Sequence, residues 1–433
     1  MIPQDNFIVV AAVADDRVAP LRALLATMKL PGVSGAADPA NALLPFGDYD
    51  AIHFARLVVL ADNTLADRAA YPQLPRTEPT YLCLMVDCDG DGTALLKRMA
   101  QQCPGLRQVF SFCADFDPNA DLERWMTARR VPASASYVNW VGRTVVQARE
   151  EARLRELLRE ALPRISAREP QPMLEELRNA VREKAPLTPI PPTPTDWRIR
   201  NLLHLLAPIV IAAVCLIVFP LVTIPLAIVV FIAVLIELRR RELSDPIVED
   251  AYDAAWVAKL RLSEDHDVTN QYTAMGSIKP GLFRLALELV VLYGINWAAR
   301  HIATRGGLGR IGTIHFAHWV FLDERRRGFF CSNYDGGHEA YMDDFINKAG
   351  FGLNLSFSSY IAYPQTDWLI AKGAWREQDF KRFQRHHQIP TDVWYKAYPG
   401  LTARDLARNT RIRNGFEKAE MSDDEIRRWL AEI

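Results

Sequence analysis

The chain has 433 residues, with 51 basic and 52 acidic side chains and a hydrophobic fraction of 49%. This length allows two or three domains. The balanced charge argues against nucleic acid as a partner, because nucleic-acid-binding proteins usually carry a basic surface. The six cysteines form neither a CxxC pair nor a zinc-ligand spacing, so we expect reduced thiols and no metal site. No secretory signal is expected, since no basic segment followed by an apolar one opens the chain.

Residues 1–118 are predicted to form a ferredoxin-like module. Apolar and β-branched runs predict strands, and helical spacing of apolar residues predicts helices. The predicted strands cover 7–13, 51–60, 81–88 and 106–113, and the predicted helices cover 18–28 and 92–102. The order strand–helix–strand–strand–helix–strand is that of the split βαβ unit. Residues 119–186 are predicted to be helical, most strongly over 137–162, where good helix formers dominate.

A membrane segment is predicted over residues 201–241. A proline-rich linker, 187–200, leads into it, and Leu205–Ile236 contains no charged side chain. One helix of this length would be about 48 Å long, whereas a hydrocarbon core is about 30 Å thick. Pro220 and Pro225 interrupt the run, and arginines lie on both flanks. We therefore favour a helical hairpin with both ends in the cytoplasm over a single tilted span.

The second half of the chain resembles the first. IHFARLVVL (52–60) and IHFAHWVFL (314–322) begin with the same four residues, and an Asp-Gly pair follows each, at Asp89 and at Asp335. This order predicts a second ferredoxin-like module over 242–376, with its first strand near 272–278, its first helix over 282–302 and a last strand near 356–360. Residues 377–433 are predicted to form a helical C-terminal region that packs on this second module.

The predicted fold is therefore α+β. Two ferredoxin-like modules form one barrel-like unit, and a membrane-embedded helical hairpin and a helical C-terminal region complete the chain. Two modules that share a barrel must lie in one compartment, which is a second argument for the hairpin. We expect a location at the cytoplasmic membrane with both modules facing the cytoplasm and membrane lipid as a partner, and the sequence leaves the oligomeric state open.

The stretch DCDGDG, Asp87–Gly92, begins like a calcium-binding loop, with acids at positions one, three and five and glycine at six. The twelfth position, which should supply a bidentate Glu, is Arg98. A predicted strand also precedes the stretch where a helix would be needed. We interpret it as a strand-to-helix turn and not as a metal site.

Paired ferredoxin-like modules and the stretch SNYDGG (332–337) resemble the dimeric α/β-barrel superfamily, which includes dye-decolourising haem peroxidases and chlorite-dismutase-like proteins. The region from Ile314 through YMDDFINKAGFGLN (341–354) and VWYKAYP (393–399) also resembles a membrane-anchored bacterial group of unassigned function. The peroxidases carry a G-x-x-D-G signature. Here Ser332 stands at the first position and Asp335 at the fourth. The resemblance implies a haem cofactor and a peroxidase-like activity.

The candidate catalytic residues are Asp335, Asn333 and His315. Asp335 could act as an acid–base group, or it could cap the helix that follows it. His315 could bind iron, or it could tie adjacent strands together, as its counterpart His53 would. The candidate substrate or cofactor residues are Arg300, His318, Tyr334 and Arg284. The alternatives for Arg300 and Arg284 are a helix-dipole partner and a membrane-interface anchor.

Two functions remain open from the sequence. The first is a membrane-associated oxidoreductase, related to haem peroxidases, that acts on a lipophilic or small aromatic substrate. The second is a non-catalytic membrane scaffold or lipid-binding protein, which the incomplete catalytic set favours. His386 and His387 are adjacent, so we expect their side chains to point apart and not to share a metal ion.

Overall fold

The computed structural model describes residues 1–32, 35–248 and 253–433. Strands and helices alternate in the first part of the chain, and four helices follow. These elements are Gln4–Val13 (β1), Asp15–Ala26 (α1), Ile52–Leu60 (β2), Leu65–Ala69 (α2), Thr80–Asp89 (β3), Gly92–Gln102 (α3), Pro104–Phe110 (α4), Leu122–Ala128 (α5), Ala133–Val138 (β4), Val145–Ala161 (α6), Pro170–Val181 (α7), Thr195–Val218 (α8) and Pro220–Ser244 (α9).

The second part of the chain repeats the alternation and ends in two helices. Its elements are Ala254–Arg261 (α10), Thr269–Ser277 (β5), Leu282–His301 (α11), Ile314–Leu322 (β6), Arg327–Asp335 (β7), His338–Phe357 (α12), Thr366–Asp367 (β8), Ala371–Lys372 (β9), Glu377–His387 (α13), Val393–Lys396 (β10), Ala403–Glu417 (α14) and Asp423–Leu430 (α15). The predicted first strand and first helix of this half correspond to β5 and α11.

Two four-stranded sheets carry the fold, in the orders β1-β3-β2-β10 and β4-β6-β7-β5. All of their pairings are antiparallel. Each sheet takes one strand from the other half of the chain: β4 pairs with β6, and β10 pairs with β2. The predictions for 119–186 and 377–433 were therefore incomplete, because each of these helical regions also contains a strand. The C-terminal region packs on the first sheet through β10 as well as on the second half.

Two predicted strands are not formed. Residues 106–113 were predicted as a strand, but α4 covers most of them, and residues 356–360 contain the end of α12. In α4 the buried residues Leu106, Val109 and Phe110 follow a spacing of three and four, which buries one face of a helix. Pro104 occupies its first turn, where a missing N–H costs nothing.

The predicted helix over 137–162 begins later, at Val145. Residues up to 138 belong to β4, and Gly142 turns the chain with a φ of +89°. Residues other than glycine rarely adopt this conformation. Thr144 then caps α6 with a capping box that involves Gln147. Local caps, which the helix-forming composition of the segment did not reveal, thus set the start of the helix.

The two sheets pack face to face around one apolar layer. Ile8 and Met85 from the first sheet and Val320 and Phe329 from the second belong to this shared cluster. Backbone hydrogen bonds also link the sheet edges, with Val131 N donating to Ile8 O at 2.9 Å on one side and Ile389 N donating to Thr273 O at 2.8 Å on the other. The sheets therefore form a single unit, and the helices α6, α7, α14 and α15 form a second core outside it.

In the part of the chain that the structure describes, three helices, α8, α9 and α11, are long and apolar enough to cross a membrane. The side chains of α8 and α9 are almost entirely exposed, and Leu221 is 89% exposed. Exposed apolar surface on this scale indicates association with a membrane. The break between α8 and α9 is at Phe219, directly before Pro220, whereas Pro225 lies inside α9. The predicted break near these prolines is thus confirmed at Pro220.

The segment α8–α9 folds back on itself. Near its start, Asn201 Oδ1 accepts a hydrogen bond from Arg300 Nε at 2.7 Å, and after its end Asp245 pairs with Arg284. The two arginines lie sixteen residues apart on α11, which corresponds to about 24 Å. A straight helix from Asn201 to Asp245 would be about 66 Å long. The chain therefore reverses at Phe219, and α11 lies across the base of a V formed by the two long helices.

The polarity of α11 is reversed relative to that of a helix in a soluble protein. Its charged residues Arg284 and Glu288 are 1% and 0% exposed, whereas Leu282 and Val290 are 86% and 70% exposed. In water this arrangement would cost free energy, because the apolar side chains would be exposed to solvent and the charged ones would be removed from it. The exposed apolar face of α11 therefore suits a membrane better than water, in agreement with its position at the base of α8 and α9.

His338, at the start of α12, gives the folded state a defined pH dependence. Burial and the nearby Arg385 guanidinium lower the pKa of His338 from 6.5 to about 3. The unfolded chain therefore binds this proton first, and stability should fall as the pH falls from about 6.5 towards 3, by up to about 1.4 kcal/mol per pH unit. We expect His338→Gln to weaken this dependence, measured as the difference in unfolding temperature between pH 7 and pH 5 in detergent. His266→Gln, at an exposed histidine, is the control. Equal dependence in His338→Gln and the unmodified chain would contradict this account.

Candidate functional site

A cleft of about 850 Å³ lies between the two sheets and the base of the membrane helices. It opens where β1 and β4 diverge, and the first turns of α8 and the last turns of α11 cover it. Its walls are about equally polar and apolar, and strands of both sheets and the ends of α8 and α11 contribute to them. The lining residues that matter for its chemistry are Asp87, Ser136, Arg200, Asn296, Arg300 and His318.

Ser136, His318 and Asp87 form a hydrogen-bonded chain in this cleft. Ser136 on β4 lies directly opposite His318 on β6, so the two side chains share one face of the sheet. Ser136 Oγ is 3.0 Å from His318 Nδ1, and His318 Nε2 is 2.6 Å from Asp87 Oδ1 on β3 of the other sheet. His318 and Asp87 are buried, whereas Ser136 is half-buried and faces the cleft.

The bonding order defines the state of the imidazole. An ionised Asp87 accepts only, so His318 Nε2 carries the hydrogen and donates it to the carboxylate. His318 Nδ1 then presents its lone pair to the hydroxyl of Ser136, as a general base does. The ring nitrogens serve in the opposite order from those of the chymotrypsin-type triad, but the roles of nucleophile, base and orienting carboxylate are the same. Asn296 lies beside them, and its Oδ1 accepts from Ser136 N at 3.2 Å.

The equivalent position in the other half contains no such chain. By register, Trp394 on β10 lies opposite Arg56 on β2. Arg56 donates to Tyr272 O at 2.9 Å and to Thr273 Oγ1 at 3.0 Å, and it also pairs with Asn333 Oδ1. A guanidinium thus replaces the imidazole and an indole replaces the hydroxyl, so this half binds the two sheets together without a nucleophile.

His315 and Asp335, which were predicted to be catalytic, form a closed structural pair. His315 Nε2 donates to Asp335 Oδ1 at 2.6 Å, and Asp335 also accepts from Thr269 Oγ1 at 2.9 Å and from Ala403 N at 2.7 Å. Ala403 is the first residue of α14, whose N-cap is Thr402, so Asp335 satisfies one further N–H at the start of that helix. Asp335 was expected to cap α12, the helix that follows it. That expectation is wrong, because His338 N, at the start of α12, donates to Asp265 instead.

The first half repeats this arrangement. His53 Nε2 donates to Asp89 Oδ1 at 3.0 Å, and Asp89 Oδ2 accepts from Val145 N, at the start of α6, at 2.8 Å. The cavity next to His53 and His315 has a volume of about 20 Å³. That volume holds about one water molecule and no organic cofactor. The surroundings of His315 therefore do not fit haem.

The other predicted site residues are divided among several environments. Arg300 and His318 line the cleft, and Arg300 Nε bonds to Asn201. Tyr334 is in the core and stacks on Tyr341, with ring centroids 3.8 Å apart. Arg284 is buried and paired with Asp245, so it is not an exposed interfacial anchor.

Sequence reasoning missed Ser136 and Asp87 as site residues. Asp87 belongs to the calcium-like stretch, but its role depends on a histidine 231 residues away. Ser136 lies in a segment that was predicted to be helical or helix-flanking, and no sequence motif surrounds it. The one sequence feature that pointed towards both was His318, because the corresponding position in the first half is Arg56.

His386 and His387 also differ from their prediction. Both imidazoles approach Asp67 of α2, with His387 Nε2 2.8 Å from Oδ2 and His386 Nε2 3.3 Å from Oδ1. Both histidines belong to the last turn of α13, which ends at Gln388, so the prediction that their side chains point apart is wrong. Burial by itself raises the pKa of Asp67, but the two imidazoles lower it to about 2, so the carboxylate is ionised at neutral pH.

Asp335→Asn separates a structural from a catalytic role. The amide keeps one acceptor oxygen but cannot accept from both His315 and Ala403, so we expect the free energy of unfolding to fall by about 1–3 kcal/mol. Thermal unfolding in detergent measures this loss, with the exposed Asp117→Asn as control. Full stability together with loss of any measured reaction would instead make Asp335 catalytic.

No family model, curated protein or solved structure matches this chain.

Proposed function

We propose that the chain is a membrane-associated serine hydrolase or acyltransferase that acts on an amphipathic ester. The observation that carries the proposal is the bonded chain Ser136–His318–Asp87 in the wall of the 850 Å³ cleft. A hydroxyl, a base and an orienting carboxylate within hydrogen-bond distance are the minimal set for nucleophilic acyl transfer.

The reaction follows from these contacts. Ser136 Oγ attacks the ester carbonyl carbon while His318 Nδ1 takes the hydroxyl proton, and Asp87 stabilises the imidazolium that forms. The side-chain amide of Asn296 is the donor that we assign to the oxyanion. The carbon–oxygen bond to the alcohol then breaks, and His318 returns its proton to the leaving alkoxide. Water, or a second alcohol in a transferase, releases the acyl group by the same steps in reverse order.

The position of the cleft supports a lipophilic substrate. The first turn of α8 and the last turns of α11 form its outer wall, and both helices expose apolar surface that suits lipid. A substrate can therefore enter from the membrane interface without crossing water. Arg200 and Arg300 lie at this wall and suit an anionic head group, although each also has a partner in the chain, Asp196 and Asn201 respectively.

The membrane topology is part of the proposal. We infer that α8 and α9 form a hairpin whose two ends lie on one side, with both sheets in the cytoplasm. Contacts of both ends with α11 support it. The two halves are, in this proposal, duplicated ferredoxin-like modules that have exchanged their fourth strands and closed into a barrel. The matching sheet orders and the repeated His–Asp–helix arrangement support this origin.

The oxidoreductase hypothesis, with haem as cofactor, stays a prediction, as does the relation to dye-decolourising peroxidases. It is the weaker candidate because Asp335 and His315 use their polar atoms on each other and on a helix end. A non-catalytic scaffold or lipid-binding role is the second alternative, and lipid association of the purified chain without any enzymatic activity would favour it.

Labelling with a fluorophosphonate tests the nucleophile. We expect the detergent-purified chain to react at one residue, Ser136, because only an activated hydroxyl attacks this reagent at an appreciable rate. Ser136→Ala should abolish the label, and His318→Ala and Asp87→Asn should slow it and the hydrolysis of short-chain esters by at least about 100-fold. Ser134→Ala is the matched control, since Ser134 lies on the same strand outside the lining of the cleft. Equal labelling of Ser136→Ala and the unmodified chain would overturn the assignment.

Cysteine accessibility tests the hairpin. Cys215 is exposed on α8 and the other five cysteines are buried, so the Cys215→Ser variant should show little labelling of its native cysteines. We expect cysteines introduced at the exposed positions Asn119 and Glu420 to react with a membrane-impermeant maleimide only after the cells are opened. Labelling of one position and not the other in intact cells would show that the two halves lie on opposite sides.

A further inference from the structure

A second cluster of reactive side chains lies away from the cleft. Asp67 on α2 and His386 and His387 at the end of α13 place their ligand atoms within 4.8 Å of one another. Asp67 and His387 are fully buried, and the side chain of His386 is 22% exposed. We propose that these three residues bind a divalent transition metal ion, with zinc as the best match.

The hydrogen bonding of His387 supports a metal ligand. Its Nδ1 donates to Phe383 O at 2.8 Å, which places the hydrogen of a neutral ring on Nδ1. Its Nε2 then presents a lone pair towards Asp67 Oδ2, only 2.8 Å away, so two acceptors face each other. Either a proton or a cation must lie between them. Metal-bound histidines commonly donate their other ring nitrogen to a backbone carbonyl in this way.

The spacing also suits a metal ion. Bonds of about 2.0–2.1 Å in a tetrahedral site separate neighbouring ligand atoms by about 3.4 Å. The separation between His386 Nε2 and Asp67 Oδ1 is 3.3 Å, while the 2.8 Å contact of His387 has to open slightly. The partial exposure of His386 leaves a path for the ion and for a water molecule as fourth ligand.

The donor set determines the class of ion. Two imidazole nitrogens and one carboxylate oxygen suit zinc and its neighbours in the first transition row, and they do not suit calcium or magnesium, which prefer oxygen. One carboxylate and two neutral rings leave a net positive charge of one on the bound ion. Because α2 and α13 belong to different halves of the chain, the ion would join the two halves at a point distant from Ser136.

Titration with Zn²⁺ tests the site. The full-length chain, purified in detergent and stripped with a chelator, should bind one Zn²⁺ in isothermal titration calorimetry and should gain the visible absorption of tetrahedral Co²⁺ when Co²⁺ replaces it. We expect Asp67→Asn and His386→Ala each to weaken Zn²⁺ binding by more than about tenfold. His266→Ala removes an exposed histidine elsewhere and should bind normally.

Two further measurements separate the outcomes. Ser136→Ala should keep one Zn²⁺ per chain, so a failure of the hydrolase proposal leaves the metal site intact and the reverse also holds. Circular dichroism of metal-free His386→Ala, whose side chain is partly exposed, should match the metal-free parent and thus exclude unfolding as the cause of weaker binding. Absence of Zn²⁺ binding, or unchanged binding in both ligand variants, would overturn the proposal.

Discussion

The exchange of β4 and β10 is the constraint on which the rest of the structure depends. Neither half contains a complete four-stranded sheet, because the strand that pairs with β2 comes from the end of the chain and the strand that pairs with β6 comes from its first third. Unpaired backbone groups at these edges would be costly, so each half folds fully only with the other. The apolar segment α8–α9 lies between these two strands in sequence, and the chain reverses within it, at Phe219.

The same exchange creates a cleft with unlike walls. The two halves place equivalent residues at equivalent positions, but the pairs across the interface differ: His318 meets Asp87, whereas Arg56 meets Asn333. A histidine next to a half-buried serine can move a proton, while an arginine that donates to several oxygens can only hold them together. The first half thus holds the two sheets together at this position, and the second half carries groups capable of chemistry. The His–Asp pairs, in contrast, have the same role in both halves, because each carboxylate accepts an N–H at the start of a helix.

Helix α11 combines buried charged side chains with an exposed apolar surface. Arg284 and Glu288 lie inside, where they face the soluble part, and the outer surface of α11 is apolar. In water apolar side chains prefer the interior. In a lipid environment they can face outward without the free-energy cost of contact with water. The cleft, its arginines and the exposed apolar surface therefore meet at the base of the V formed by α8 and α9. This juxtaposition gives the proposed substrate its chemical character.

The sequence by itself determined the local features: the apolar segment with its break near Pro220, the strands β1, β2, β3, β5 and β6, and the likeness of 52–60 to 314–322. These depend on periodicity and composition, which act over short distances. Only the tertiary structure decided that 133–138 is a strand of the distant sheet and that Ser136, His318 and Asp87 meet. Such contacts join residues more than 180 positions apart. Their pairing depends on which strand completes which sheet, and no local pattern encodes that choice.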